Sequence, residues 1–223
     1  MKLSPILTLL GATCLALSAQ AQNLITNGSF ESGSAGGPPP KPWVVSSEIT
    51  KAQNVSVVLE TLPGTTDGKL WLRLHDENPE VPTGTFQNFP ETKKGRFTVK
   101  VYFQKIGLSF GVYLGGPKVS GPDTRVVDFK VINGKATLGN AGPRSKSTFK
   151  FEPDKIYPLF VNFETSADGN KVKYEVGLED TGEIIASAEP DARMPIAGLR
   201  FATDSKDTGT DVYLTDVSLV AKE

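Results

Sequence analysis

The sequence has little of two residue types that many catalytic and metal sites need, since it contains one cysteine, Cys14, and one histidine, His75. Cys14 lies within the first 21 residues, so the rest of the chain has no thiol for a disulfide, a zinc-thiolate site or a cysteine nucleophile. A single histidine excludes the histidine pair of common zinc enzymes. No Gly-x-Ser-x-Gly segment occurs, so nothing indicates the nucleophile elbow of serine hydrolases.

After residue 21 the sequence also lacks an apolar run of the roughly 20 residues that a membrane-spanning helix needs. Residues 1–21 combine Lys2, the apolar stretch ILTLLGATCLAL and the small-residue site SAQA. This pattern predicts a cleaved signal peptide and a secreted mature chain, 22–223. Lipidation of Cys14 is the alternative, but Gly11 stands where a lipoprotein signal has leucine.

An excess of charge of either sign is also missing. The chain has 24 Lys and Arg against 25 Asp and Glu, a formal net charge of −1. This balance argues against a nucleic-acid-binding protein and against a strongly anionic partner in general. About 200 residues remain after the leader, enough for a single β domain with a substantial core.

What the sequence does have is period-two alternation along its whole length, with no long window of helical spacing. In GRFTVKVYFQ, Phe97 and Val99 begin one phase, and Lys100 and Tyr102 fall in the other. Turn signals such as INGKA, SADGN and EDTGE separate the apolar segments. The pattern predicts an all-β sandwich that forms one domain over 22–223. The same alternation predicts strands at KLWLRLH, LSFGVYLG, RVVDFKVI, STFKFE, IYPLFVNFET, NKVKYEVGLE, EIIASA, AGLRFA and DVYLTDVSLV.

The two ends of the chain resemble a known sandwich. NLITNGSFESG near the N-terminus, the tryptophan of KPWVV and VYLTDVSLV near the C-terminus resemble the ends of carbohydrate-binding modules of the family 4 and 9 type, which are galactose-binding-like jelly rolls. The middle of the chain resembles secreted jelly-roll or laminin-G-like modules more generally. The resemblance implies a jelly-roll β-sandwich whose first and last strands lie close together, and non-catalytic binding of a polysaccharide or oligosaccharide.

The resemblance also implies a structural calcium ion where these two strands meet. Carried over by position, Glu31 and Asp216 would be the side-chain ligands, with Asn27 nearby. Calcium takes about six to eight oxygen ligands and accepts backbone carbonyls beside one or two carboxylates. The alternative is that Asn27 and Gly28 form a simple turn and that Glu31 is a solvated residue.

Strand KLWLRLH offers the groups that sugar binding requires, which are a flat aromatic face and planar polar donors. Alternation places Trp71, Arg73 and His75 on one face of that strand. Tyr102 joins them if its strand is a neighbour. The alternative is that Trp71 lies under a covering loop and that Arg73 pairs with an acid.

Trp43 follows the proline-rich segment SGSAGGPPPKP, which is predicted to be a long loop. The ring is therefore either a stacking residue at a loop tip, and a fifth ligand-binding candidate, or a core residue of strand PWVVSSE. The segment HDENPEVPTGT is predicted to be a second long loop.

Two other function classes stay open. Some jelly-roll proteins are polysaccharide lyases, in which a His or Tyr base removes a proton while a cation neutralises a uronic-acid carboxylate. His75 and Tyr102, with Arg73 and Lys100, fit those roles by residue type, and a hydrolase with two catalytic carboxylates is equally allowed. The third class is an extracellular adhesive or structural module that binds protein rather than sugar.

Overall fold

The structure is a computed structural model that describes residues 22–45, 55–107, 109–119, 122–139, 146–192, 194–203 and 209–222. The predicted signal peptide, including Cys14, lies outside the described residues and stays a prediction. Within the described part there are fourteen β-strands, a 3-10 turn at Pro122–Thr124 and no α-helix. No helix among these residues is long and apolar enough to span a bilayer.

The strands are distributed along the entire described chain. In chain order they are β1 Val44–Val45, β2 Val55–Thr61, β3 Leu70–Asp76, β4 Gly84–Thr92, β5 Lys94–Lys105, β6 Ser109–Gly115, β7 Arg125–Ile132, β8 Lys135–Leu138, β9 Lys146–Lys150, β10 Lys155–Thr165, β11 Val172–Leu178, β12 Ile184–Ala188, β13 Ile196–Thr203 and β14 Thr210–Ala221.

These strands form two seven-stranded antiparallel sheets. The first sheet has the order β1-β4-β13-β6-β7-β8-β9, and the second has the order β12-β11-β10-β5-β14-β3-β2. Strands that are distant in sequence pair in the centre of each sheet, β6 with β13 and β5 with β14. The predicted all-β sandwich is confirmed.

The core lies between the two sheets and is built from the inward phase of the strands. In β5, Phe97, Val99, Val101 and Phe103 are each 2 % exposed or less, as the alternation in GRFTVKVYFQ predicts. Phe201 of the first sheet packs across the interface, with its ring centroid 6.2 Å from that of Phe97. One apolar cluster therefore joins both sheets.

Glycine-containing turns connect the hairpins where the sequence signals them. In INGKA, Asn133 and Gly134 have φ values of 49° and 73° and join β7 to β8. Gly169 and Gly182 also have positive φ, in the turns of SADGN and EDTGE. A left-handed backbone is sterically easy only for glycine and, less so, for asparagine, which explains these residues at these places.

Three strands, β2, β4 and β8, were not predicted. In β4 the proline at position 90 argues against a strand prediction, because proline has no N–H to donate to the hydrogen bonds between strands. The register between β4 and β13 shifts between Ile196 and Gly198, where the chain opposite contains Pro90. This irregularity accommodates the proline inside a strand.

The N-terminal segment lies along the last strand, which confirms that the two ends of the chain are close together. Asn23 forms a bridge with Val220, and the Val217 N–H donates to the Gly28 carbonyl at 3.0 Å. A Cβ atom on Gly28 would lie 1.9 Å from the Val217 carbonyl oxygen, so only glycine fits this approach.

Candidate functional site

Strand β3 places three of the predicted ligand-binding residues on the outer face of the second sheet. Leu72 and Leu74 point into the sandwich and are fully buried. Because side chains alternate along a strand, Trp71, Arg73 and His75 lie together on the opposite side. The shared face predicted from KLWLRLH is therefore present.

Tyr102 lies on the same outer face, but its strand is not adjacent to β3. Strand β14 runs between β5 and β3, and Tyr213 of β14 is the register partner of both Tyr102 and Arg73. The Tyr102 and Tyr213 rings meet edge to face, with centroids 5.8 Å apart. The condition that the strand of Tyr102 is a direct neighbour of β3 is not met, although Tyr102 shares the outer face with Arg73.

The outer aromatic cluster, which we define as Leu62, Trp71, Tyr102 and Tyr213, is buried although it faces away from the core. Trp71 is 4 % exposed and Tyr102 is 9 % exposed. Leu62 comes from the turn after β2, and the tyrosines come from two other strands, so three separate segments pack around the indole. An exposed stacking platform at Trp71 is not formed, which corrects that expectation.

The Arg73 guanidinium is already held by two protein carboxylates. Its Nε and Nη2 donate to Asp211 at 2.8 and 2.9 Å, and Nη1 lies 3.2 Å from Glu60. His75 Nδ1 lies 3.2 Å from Arg73 Nη2, so the lone histidine joins the same network. The hydrogen bonds with Asp211, although opposed by burial, raise the pKa of Arg73 above its ordinary value. This forked donor is therefore occupied within the protein.

The residues proposed for lyase chemistry on this face are similarly engaged. The Tyr102 hydroxyl donates to Asp154 at 2.9 Å, and burial together with this hydrogen bond raises the pKa of Tyr102. A higher pKa leaves less of the phenolate, the form that would act as the base. Lys100 lies 2.9 Å from an oxygen of Asp216. The arrangement is typical of a structural polar network.

Trp43 belongs to the core, which corrects its place among the ligand-binding candidates and confirms the alternative. It is 4 % exposed, and its ring lies 5.5 Å from Phe30 and 5.9 Å from Phe201, measured between centroids. Its Nε1 donates to the Asn27 carbonyl at 3.2 Å, which satisfies the indole N–H. Trp43 thus fastens the N-terminal segment to the sandwich.

The predicted calcium ligand Asp216 is bound by two lysines instead. It occupies a bulge of β14 with φ of 52°, and its carboxylate accepts hydrogen bonds from Lys69 at 2.7 and 2.9 Å and lies 2.9 Å from Lys100. Partial burial opposes ionisation of Asp216, but the two ammonium groups outweigh it and lower the pKa. Two cations at the carboxylate disfavour a third.

The other two predicted ligands do not complete a calcium site. Glu31 is exposed in the turn that follows Phe30, and Asn27 uses its side-chain amide to donate to a carbonyl of the proline-rich loop. Among the described residues no group of three or more Asp, Glu, His or Cys side chains is close enough to hold a metal ion. Asn27, Glu31 and Asp216 therefore do not fit calcium.

The outer face of the first sheet carries a row of side chains that the sequence did not single out. The row crosses five strands, since each of its members is the register partner of the next. In spatial order its members are Val44, Phe86, Arg200, Tyr113 and Asp128. Phe86 and Arg200 are partly exposed, so an aromatic ring and a guanidinium reach the surface side by side.

Around Tyr113 the row is tightly layered. The Arg125 guanidinium lies over the Tyr113 ring, 3.8 Å from its centroid, and a Cβ atom on Gly111 would lie 2.0 Å from the ring on the neighbouring side. Asp128 lies 3.8 Å from Arg125 and 3.7 Å from Lys130. The absence of a side chain at Gly111 thus lets Tyr113 lie flat beneath a cation.

A turn closes one end of this face. Gly198 lies beneath it, because an added Cβ would lie 2.7 Å from the Gly116 carbonyl oxygen and 2.9 Å from Val119. The Lys118 N–H donates to Asn88 Oδ1 at 2.9 Å, which ties the turn to β4. The row of side chains therefore lies beside a turn that is packed against β13 and hydrogen-bonded to β4.

The sequence contained part of the signal for this row. Arg200, Tyr113 and Asp128 each lie in the outward phase of a strand that was predicted, AGLRFA, LSFGVYLG and RVVDFKVI. Phe86 lies in β4, which was not predicted. The order of the strands, which brings the four residues into one row, is a long-range property that periodicity does not contain.

Solved structures share this fold at low sequence identity. The cellulose induced protein Cip1 is similar with a TM-score of 0.54 and 12 % identity, covering 87 % of this chain and 96 % of that one. The exoplasmic/lumenal domain of VIP36 in its Ca2+-bound form gives 0.51 and 12 %, covering 90 % of each chain. A structure from work on endo-acting O-glycanases of the human gut microbiota gives 0.51 and 12 %, covering 87 % and 98 %.

No protein-family model matches the sequence, and no curated protein matches it. The structural likenesses are at an identity that establishes the fold alone, and they do not single out modules of the family 4 and 9 type. The chain has the jelly-roll β-sandwich fold that these structures share.

Proposed function

We propose that the protein is a secreted, single-domain, non-catalytic carbohydrate-binding protein whose binding surface is the outer face of the first sheet. The observation that carries the proposal is the start of the row, where the partly exposed ring of Phe86 and the partly exposed guanidinium of Arg200 lie on neighbouring strands. Secretion rests on the predicted signal peptide, 1–21.

Two neighbouring members of the row have roles that sugar recognition requires. The partly exposed ring of Phe86 offers an apolar surface to the C–H face of a pyranose. Arg200, which is partly exposed, offers planar N–H donors to hydroxyl oxygens. Five strands at a spacing of about 4.8 Å make the row roughly 19 Å long, enough for several sugar units.

Two of the similar structures support this choice of ligand. The VIP36 domain was also solved in a Ca2+- and Man2-bound form, with a TM-score of 0.50 against this chain. The third structure comes from work on glycanases that act on mucin. A jelly roll of this shape therefore serves sugar recognition elsewhere, and the row provides suitable groups here.

Binding of a polysaccharide panel in affinity electrophoresis tests the proposal, with three samples compared. We expect the wild type to be retarded by at least one polysaccharide and Phe86→Ala to bind about tenfold more weakly, because a stacking ring is lost. Ile156→Ala is the matched control, since Ile156 is 49 % exposed and lies in the second sheet. It should bind as the wild type does.

Two results would contradict the proposal. Retention that is lost in Ile156→Ala and kept in Phe86→Ala would transfer the site to the second sheet. New unsaturated sugar ends after incubation would show lyase activity and overturn the non-catalytic assignment. Correct folding of each variant is checked by its melting temperature.

A further inference from the structure

We infer that the sugar bound by this face is acidic, carrying carboxylate or sulfate groups, and that Lys135 and Lys150 with Lys130 receive those groups. The inference rests on the proposed function and specifies its ligand. It concerns the part of the first sheet formed by β7, β8 and β9, next to the row that ends at Asp128.

Three lysines converge there on adjacent strands. Lys135 of β8 and Lys150 of β9 are direct register partners, and both are exposed. Ala136 and Phe151, their sequence neighbours, are buried in the core, so the two lysines point outward. Lys130 of β7 lies on the same outer face, where β7 and β8 pair.

Direct cross-strand pairing of like charges is unfavourable in a sheet. Neither Lys135 nor Lys150 forms an ion pair with a residue of the described chain. The acid among the described outward positions of β7, β8 and β9 is Asp128, which already lies within 3.8 Å of Arg125 and Lys130. The connecting segment 139–145 contains Arg144 and no acidic residue. An anionic ligand would relieve this repulsion.

The surface between the lysines is concave and contains both polar and apolar groups. A depression of about 620 Å³ is lined by Lys135 and Lys150, by the polar residues Asn133, Thr137 and Thr148, and by the apolar residues Ile132 and Ala136. Ligand sites for small molecules typically occupy about 300–1,000 Å³. Hydroxyl and amide groups beside two ammonium groups suit a sugar that carries an acidic substituent.

Cations outnumber acids in the part of the sequence that forms β7, β8 and β9. Residues 125–151 contain six Lys or Arg and one Asp or Glu, in a chain whose formal net charge is −1. On the second sheet the outer cations are paired with acids. Those pairs are Lys69 and Lys100 with Asp216, Arg73 with Asp211, Lys94 with Glu164, Arg96 with Glu179, and Lys173 with Glu175.

The near-neutral charge of the whole chain therefore does not exclude an anionic partner at this face. The net charge of the whole chain adds together one face whose cations are paired with acids and another face on which cations exceed acids. A surface on which cations exceed acids attracts anions over about one Debye length, roughly 8 Å at physiological salt.

Pairs of polysaccharides that differ only in charge test the inference. Polygalacturonate is compared with its methyl ester, and dextran sulfate with dextran, which also distinguishes carboxylate from sulfate. We expect at least one charged member to bind about tenfold more tightly than its neutral partner, and roughly 1 M salt to abolish the difference.

The variant Lys135→Gln/Lys150→Gln should weaken binding of that charged polysaccharide by about five- to tenfold, as expected for two lost surface ion pairs. The control Lys94→Gln/Lys173→Gln removes the same charge from the second sheet, where both lysines lie near acids. It should leave binding unchanged, and melting curves establish that both variants fold.

The outcomes separate this inference from the proposed function. Equal, Phe86-dependent binding of charged and neutral polysaccharides would overturn the inference and leave the proposed function standing. No binding to any polysaccharide would overturn both. Duplex DNA that binds as tightly as the charged polysaccharide at 0.15 M salt would also overturn the inference, because the face would then be a general polyanion surface.

Discussion

The two outer faces of the sandwich have the same strand architecture but differ in how far their outward side chains are buried or paired. Each belongs to a seven-stranded antiparallel sheet whose other side forms the common core. On the second sheet the outward aromatic rings are buried in a cluster, and the outward charged side chains form ion pairs with each other. On the first sheet Phe86 and Arg200 stay partly exposed, and Lys135 faces Lys150. Outward direction alone therefore does not make a residue available to a ligand.

The difference arises from the neighbouring strands. Beside β3 lies β14, whose Asp211 and Tyr213 meet the side chains of Arg73 and Trp71. Beside β8 lies β9, which supplies another lysine rather than an acid. The same strand pattern is thus structural on one sheet and suited to binding on the other, because the cross-strand partners differ.

Replacement of the two outer aromatic residues gives the largest expected contrast. Trp71→Ala should lower the free energy of unfolding by about 3 kcal/mol, since a buried indole leaves a cavity. Phe86→Ala should lower it by only about 1 kcal/mol, because its ring is already partly exposed. Urea denaturation measures both values.

Trp71→Phe is the control for the size of the cavity and should retain most of the stability. A Trp71→Ala protein that is fully stable but no longer binds polysaccharide would reverse the roles of the two faces. The exposed platform expected from KLWLRLH would then exist in solution.

Separate removal of the two acids around Arg73 has the next largest expected effect. Asp211 is 2 % exposed, so Asp211→Asn leaves Arg73 without its bidentate partner and should cost about 2 kcal/mol of stability. Glu60→Gln removes a more exposed partner and should cost less than about 0.5 kcal/mol. Equal costs in urea denaturation would show that Arg73 is not organised by Asp211.

Much of the fold was predictable because strand identity is local. The alternation in GRFTVKVYFQ and DVYLTDVSLV fixes which residues of β5 and β14 face the core, and turn glycines such as Gly134 mark the hairpins. Strand β4 was missed because Pro90 interrupts its pattern. Pairing of β5 with β14 joins segments more than a hundred residues apart, which no local pattern encodes.

The candidate site was predictable only in part, for the same physical reason. The sequence places Trp71 and Arg73 outward, but their burial depends on Leu62 and Asp211, which other segments supply. Asp216 was assigned to calcium from its position alone, whereas its two lysine partners come from other segments. Lys69 is the residue before β3, and Lys100 lies in β5. The excess of Lys and Arg in residues 125–151 is visible in the sequence, but the near-zero charge of the whole chain concealed it.

The smallest expected effects on stability concern Asp216, which forms ion pairs with Lys69 and Lys100 on the outer face of the second sheet. Partial burial opposes ionisation, but Lys69 and Lys100 bring the folded-state pKa below the unfolded value of about 3.9. The stability that the ionised carboxylate contributes is therefore present above that pH and is lost as the pH falls through the folded-state pKa. Asp216→Asn should cost roughly 0.5 kcal/mol at pH 7. The gap should begin to close near pH 4 in denaturation curves.

The same carboxylate decides whether calcium has any part in joining the chain ends. The ammonium groups of Lys69 and Lys100 are paired with the Asp216 carboxylate, and Glu31 is exposed. The two carboxylates therefore do not form a calcium site. A ligand specific for the folded state at 100 times its Kd would stabilise the protein by about 2.7 kcal/mol, which a melting curve detects readily. We expect the same melting difference between calcium and chelator in wild type and Glu31→Gln. A calcium-induced rise that Glu31→Gln abolishes would show that Asp216 exchanges its lysines for calcium, and the second face would then be a switchable surface.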